Sequence, residues 1–444
     1  MAHVSEDRLL LFVLDRTLAN DADAIERHFG ECEECRERLQ SIRRFDEALR
    51  DPDTWAAAPE SPGFDELRRL AENVATEDAE AVLLLAEFED ASAAFLAWTD
   101  LPSNPDYHTG GIVRALCKRA NGMCERDPRY ALVLAESAVA IAAMLPESAY
   151  PAAALHEWRG EAWKEQANAL HHLGRFDEAW TAIGNAEIEY GGLKHAGIGQ
   201  VAVTYIRAVL LYEKEEYEAA ASLAEASSAA ALHLGSIDRY MRAQHLHGHI
   251  HYRNGDIAGA IERFSGVLRY GEAQGSAVWI GRESLALGNC YLLLGQLREA
   301  RDSLLNALRS FKSLRFEAEI ARTDLGFARL LFAEGARNDA IVRMRKCIAD
   351  LISFRMVTDA AIGAVYLAEM LDATGRRREV PKVLTGVIQT LARAGKITTA
   401  LTALAYLRET AKRRGITLEV ASHVRQFINR TEYQHQLLFV PPPV

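Results

Sequence analysis

"GRFDEA" at residues 174–179, "EEYEAA" at 215–220, "GDIAGA" at 255–260, "GQLREA" at 295–300, "GARNDA" at 335–340 and "GRRREV" at 375–380 are one turn written six times, at steps of 40 or 41 residues. "GITLEV" at 415–420 is a weaker seventh copy. A fixed period of this length marks a repeat architecture, so it governs the reading of everything around it. Five residues after each turn position stand Ala179, Ala220, Ala260, Ala300, Ala340, Val380 and Val420; seven before it stand Ala167, Ala208, Gly248, Gly288, Ala328 and Ala368. Small residues at that spacing let two antiparallel helices approach closely, and the turn Gly ends the first helix in the left-handed region that glycine tolerates best. Each unit is therefore predicted to be a helical hairpin.

The order large, small, Gly, aromatic, Ala, met in full by Trp163, Ala167, Gly174, Phe176 and Ala179, resembles the tetratricopeptide repeat (TPR). The resemblance covers residues 155–430, with Arg337 and Arg377 in the aromatic slot of later copies. It implies an all-α fold in which helix-turn-helix repeats stack into a right-handed α-solenoid. The excess over the common period of about 34 residues is assigned to a longer second helix and its exit loop. Helices expected at 64–75, 77–98, 110–124 and 129–145 share the length and alternation without the signature, and read as degenerate capping repeats. The expected domains are a small helical domain at 1–50, a Pro-rich linker "DPDTWAAAPESPG" at 51–63, degenerate helical repeats at 64–150, TPR-like repeats at 151–433 and an extended tail at 434–444.

Upstream of the repeats, 4–14 and 22–49 read as helices, the second with Asn20 or Asp21 available as its cap. In "IERHFGECEECRERL" (25–39) His28, Cys32 and Cys35 fall at i, i+4 and i+7, on one face of that helix. Structural zinc wants a fourth ligand. His3, 25 residues before His28, would be brought back to the cluster by an antiparallel hairpin. The residues alone leave other readings open: a C-x-x-C redox pair, which wants a βαβ setting not visible here, an ordinary helix surface, or zinc with a structural role only. The order and spacing of the four residues resemble the zinc-binding anti-sigma factor domain of bacteria over residues 3–50. That resemblance implies His3, His28, Cys32 and Cys35 as Zn2+ ligands and an extracytoplasmic-function sigma factor as the sequestered partner. "DRTL" at 15–18 departs from the family's usual turn.

In a TPR solenoid the first helix of each hairpin lines the concave groove. Thirteen residues before the turn stand Arg242, Arg282 and Arg322, and six before it Asn168, His249, Asn289 and Arg329. TPR resemblance places the second set in the slot that most often touches ligand. Planar guanidinium groups suit bidentate contact with carboxylates, so an acidic or C-terminal peptide segment fits this face. Pairing of the same arginines with Asp and Glu of neighbouring repeats is the competing expectation. In "HLHGHIH" (245–251) His245 and His249 share one face and His247 and His251 another, too few on either for a metal site. Cys117, Cys124, Cys290 and Cys347 read as small buried apolar residues.

A net charge of −11 speaks against bulk nucleic-acid binding, since phosphate contacts need a basic surface. No run approaches the roughly 18 apolar residues of a membrane span, and no basic lead with a long apolar region opens the chain, so the expected location is the cytoplasm. No phosphate loop, nucleophile elbow or metalloprotease histidine pair is present, and the Asp and Glu residues read as solvent-facing. The expected function is a soluble, non-enzymatic regulator whose zinc domain sequesters an alternative sigma factor, with a protein or peptide in the TPR groove. The alternative is a TPR adaptor for acidic peptides with a purely structural zinc hairpin.

Overall fold

A computed structural model describes residues 4, 9, 12–13, 25–30, 32–50, 62–86, 98–124, 127–193, 197–354, 356–393, 398–413, 415–431 and 438–442. All regular structure among them is helical, and no strand occurs. The chain divides into two compact units, one of Met1–Leu210 with Ser222–Ala243, the other of Leu211–Ala221 with Gln244–Val444. The first unit holds α1 (Glu33–Arg50), α2 (Pro62–Ala86), α3 (Gly110–Met123), α4 (Pro128–Met144), α5 (Ala152–His172) and α6 (Phe176–Gly191). After them come α7 (Ile198–Glu213), α8 (Tyr217–His233) and α9 (Ile237–Arg253), each of which contributes residues to both units. The second unit continues with α10 (Ile257–Ala273), α11 (Ala277–Leu293), α12 (Leu297–Leu314), α13 (Glu317–Ala333), α14 (Arg337–Ser353), α15 (Val357–Ala373), α16 (Val380–Arg393), α17 (Thr398–Arg413) and α18 (Leu418–Thr431).

The hairpin turns are built as the sequence predicts. Gly174, Gly255, Gly295, Gly335, Gly375 and Gly415 all have φ between 69° and 88°. At the Gly255 turn the Gly N–H donates to the Tyr252 carbonyl and the Asp256 N–H to that of His251, so the orphan carbonyls of the helix end are satisfied. The period itself is halved. Helices α8 to α15 start at residues 217, 237, 257, 277, 297, 317, 337 and 357, a step of 20, with Gly235 and Gly275 left-handed at the intervening turns. From α8 to α15 every helix is 17 or 18 residues long, so the long period does not reside in the second helix and its exit loop.

The small-residue slots are close contacts of the core. Ala167, Ala179, Ala208, Ala220, Ala260, Ala300, Ala328, Ala340, Ala368 and Val380 are fully buried. A Cβ on Gly248 would lie 2.5 Å from the Phe264 ring, and one on Gly288 2.9 Å from Leu304. The large side chain of one helix thus seats directly on the backbone of its partner. Burial of a side chain such as Leu304 is worth about 1.5–3 kcal/mol.

Ahead of the repeats, α3 and α4 fall where expected. The two helices expected at 64–75 and 77–98 are instead one helix, α2, through residue 86. Thr76 lies inside it, its hydroxyl donating back to the Glu72 carbonyl at 2.9 Å. Pro62 opens α2, a position where a missing N–H costs nothing, so helix begins inside the expected linker; residues 51–61 lie outside the described residues. In the tail, Phe439 packs against Tyr406 and Phe427 at ring distances of 5.2 and 4.9 Å, and residues 438–442 are non-helical. No helix among the described residues is long and apolar enough to cross a membrane.

Candidate partner-binding face and metal centre

At the amino terminus residues 25–30 and α1 are helical and Cys32 stands between them. Its N–H still donates to the His28 carbonyl at 2.9 Å, so the helical register carries through. The single helix expected over 22–49 is thus interrupted at Cys32, two residues after Gly30, the residue with least helix propensity in the segment. Leu9 and Cys35 are fully buried in a small core with Val4 and Ile25, and the Phe12 and Phe29 rings meet edge to face at 5.6 Å. On this core the ligand atoms of His28, Cys32 and Cys35 lie within 4.8 Å of one another. His28 Nε2 is shut off from solvent with no hydrogen-bond partner. Burial pushes the Cys35 thiol above its ordinary value, while a hydrogen bond from the Val4 backbone pulls the other way. Two sulfurs and an imidazole nitrogen left without a partner are a donor set that suits zinc. His3, the expected fourth ligand, lies outside the described residues.

The arginine column divides. In the first unit Arg242 pairs with Asp238 on its own helix at 2.9 Å. In the second, Arg322 holds Glu319 at 2.8 Å and Asp359, on the first helix of the next hairpin, at 3.0 Å. Arg242 and Arg322 therefore already carry carboxylates of this chain. Arg282 lies close enough to His249 to help depress its basicity.

The second slot is more informative. Asn168, in the first unit, donates to Cys124 Sγ at 3.3 Å. The other three belong to the second unit, where Arg329 Nη1 donates to Asn289 Oδ1 at 2.9 Å and stacks its guanidinium 4.8 Å from the Tyr366 ring. The same slot one copy later is Glu369, which pairs with Arg425 of α18. Burial raises the Glu369 carboxyl above its ordinary range, with Arg425 and then Arg329 opposing. Nothing about Arg425 is periodic, so only the Glu369 half of this pair was readable from the repeat. His249 is stacked 4.5 Å from His245, and burial, His245, Arg253 and Arg282 together push its imidazole well below its ordinary value. His245 Nδ1 in turn lies 2.6 Å from Oε1 of the fully buried Glu283. These histidines share a face, as their spacing predicts; among the described residues, only His28, Cys32 and Cys35 group three metal-binding donors.

The first unit holds a charged network that the sequence pattern had assigned to solvent. Lys164, with a side chain only 5% exposed, sits 2.5 Å from Glu161 and 2.7 Å from Glu165. Asn121 donates to both oxygens of Glu165 at 3.0 and 3.1 Å, and the Tyr190 hydroxyl to Glu161 at 3.2 Å. Burial pulls the Lys164 ammonium down, Glu165 and Glu161 pull it up, and the balance lies above its ordinary value. For Glu161 burial acts upward, but Lys164 outweighs it and the carboxyl ends below its ordinary value.

Helical hairpins stacked with a regular small-on-large core, and polar side chains laddered along their first helices, define a helical-repeat protein of TPR-like architecture. No protein-family model matches the sequence, and no curated protein matches it. The fold is similar to a Rap protein complexed with competence and sporulation factor, at 10% identity and a TM-score of 0.56, over 72% of this chain and 88% of that one. It is also similar to aspartyl phosphate phosphatase F from Bacillus subtilis, at 12% identity and a TM-score of 0.50, over 88% of this chain and 95% of that one. At these identities the likeness is one of fold.

Proposed function

We propose that this chain is a non-enzymatic regulator that binds a protein or peptide segment along the first-helix face of its second unit. The observation that carries the reading is the ladder Asn289, Arg329, Tyr366 and Glu369, polar and aromatic side chains delivered to one face by successive hairpins. Its arginine, Arg329, suits a carboxylate of an acidic segment. A Rap protein of similar fold is complexed with competence and sporulation factor, which is in keeping with a partner on such a repeat.

A second reading, sequestration of an extracytoplasmic-function sigma factor by the amino-terminal segment, is favoured by a separate observation: the convergence of His28, Cys32 and Cys35 beside an unspent imidazole nitrogen. These residues would hold Zn2+, and the metal would cross-link a core too small to fold well alone. Elemental analysis is expected to find about one zinc per chain, lost in the double variant Cys32→Ser, Cys35→Ser; unchanged zinc in that variant removes the site. The two readings separate in one experiment, an affinity pull-down from the native host with the full chain and with a version lacking residues 1–61. Partners kept by both belong to the repeats. A sigma factor kept by the first and lost by the second belongs to the amino-terminal segment, and no partner on either removes both readings.

A further inference from the structure

The last helix departs from the order of the others. In the second unit α12, α14 and α16 each pack against the first helices immediately before and after them, whereas α18 packs on α17 and also on α15, the first helix of the preceding hairpin. Its apolar residues Ala421, Val424 and Ile428 are fully buried, so this placement is a fixed part of the fold. What it delivers is Arg425. That guanidinium pairs with Glu369 and lies 4.5 Å from the Tyr366 ring, with its side chain 14% exposed.

Beside this pair Arg329 is in a different situation. Arg322, Arg343 and Arg425 each hold a carboxylate of this chain; Arg329 spends one N–H on Asn289 and stacks on Tyr366, and pairs with no carboxylate among the described residues. Arg329 is half-buried, and of the five donors of its guanidinium one is spent on Asn289. Its charge also reaches Tyr252 of α9 and Glu369 itself. Glu369 is a carboxylate that the Arg329 charge reaches, and Arg425 has taken it.

We infer that Arg329, oriented by Asn289 and Tyr366, is a carboxylate-binding subsite of the first-helix face, kept open because Arg425 engages Glu369. The subsite rests on the peptide-binding reading above and narrows it to a partner that brings a carboxylate, from an acidic side chain or from a peptide C-terminus. Arg329 makes the bidentate contact. Arg425 touches no ligand and is a positioning residue: without it Glu369 turns to Arg329 and closes the site.

The test uses the full-length protein and randomised octapeptides in three forms: free C-terminus with no Asp or Glu, amidated with one Glu, and amidated with neither. Binding is read by fluorescence polarisation. The carboxylate forms are expected to bind and the neutral form to bind about ten- to a hundredfold more weakly, as for a hydrogen bond to a charged group. Preference for the first form assigns a C-terminus and for the second a side chain. Arg329→Ala should abolish the preference with an unchanged melting temperature. Arg425→Ala should weaken binding, and adding Glu369→Gln to it should restore binding, a rescue that a merely structural role of Arg425 would not give. Binding of all three forms alike, or a preference that survives Arg329→Ala, overturns the subsite while leaving a peptide-binding face. Failure of any peptide to bind overturns that reading and the subsite with it. Loss in Arg425→Ala that Glu369→Gln does not restore overturns the positioning role.

Discussion

Lys164 in the first unit and Arg329 in the second are both cations on the first helix of a hairpin, and they live under opposite rules. Lys164 is enclosed: Glu161, Glu165, Asn121 and Tyr190 close a network in which every charge is answered from within the chain. Arg329 is half answered, by an amide oxygen and an aromatic face. A buried charge stripped of its partners cannot relax into water and is costly, whereas an accessible one is solvated and holds its spare donors for another molecule. The same residue class therefore maintains the fold in one place and is available for recognition in the other.

This contrast can be broken by measurement. Lys164→Met leaves the buried Glu165 carboxylate without a cation and should cost about 3–5 kcal/mol in chemical denaturation; a loss under about 1 kcal/mol, typical of exposed pairs, would erase the distinction. The same substitution should invert the acid response. In the parent chain the depressed Glu161 contributes stability that is present above its ordinary value of 4.5 and lost as pH falls through its lower folded value. In the variant, protonation relieves unpaired charge, so the variant should recover relative to the parent as pH falls below that value. On the alkaline side the raised Lys164 contributes stability present below its ordinary 10.5 and lost as pH rises through its higher folded value, a loss that pH-dependent melting should find in the parent and not in the variant. Asn121→Ala, which removes both hydrogen bonds to Glu165, should cost about 1.5–3 kcal/mol, read by the same denaturation curves. At the small end, Arg322→Ala removes half-exposed ion pairs and should change stability by about 0–1 kcal/mol.

The repeats are legible because they say the same thing several times. The turn glycines and the small residues on either side of them specify the hairpins and their core, and burial at those slots follows them residue by residue. The half-period is hidden where the turn is not glycine. At the intervening turns Gly235 and Gly275 have φ of 67° and 62°, but Arg315 takes the next such place with φ of 57°, a left-handed conformation that costs a residue with a Cβ about 1–2 kcal/mol, so the glycine series at the half-step breaks off there. Nor does "EAWKEQ" at 161–166 announce its burial. Whether a charge on a helix is enclosed depends on what neighbouring helices bring to it, and Asn121 and Tyr190 have no fixed spacing from Glu165 and Glu161. At the amino terminus the reverse holds: spacing alone groups His28, Cys32 and Cys35, and the structure adds their convergence and the core beneath them.

The twenty-residue step gives the region from 217 to 373 an arithmetic. Excising any 40 consecutive residues within it rejoins slot to slot: Asn289 would be followed by Glu369 where Arg329 had been, and every small residue would still meet its large partner. Excising 20 would splice a first helix onto the position of a second and turn its ladder toward the wrong neighbours. Length here can change in register only by whole hairpins, and each hairpin gained or lost would insert or delete one letter of the text that the first-helix face presents.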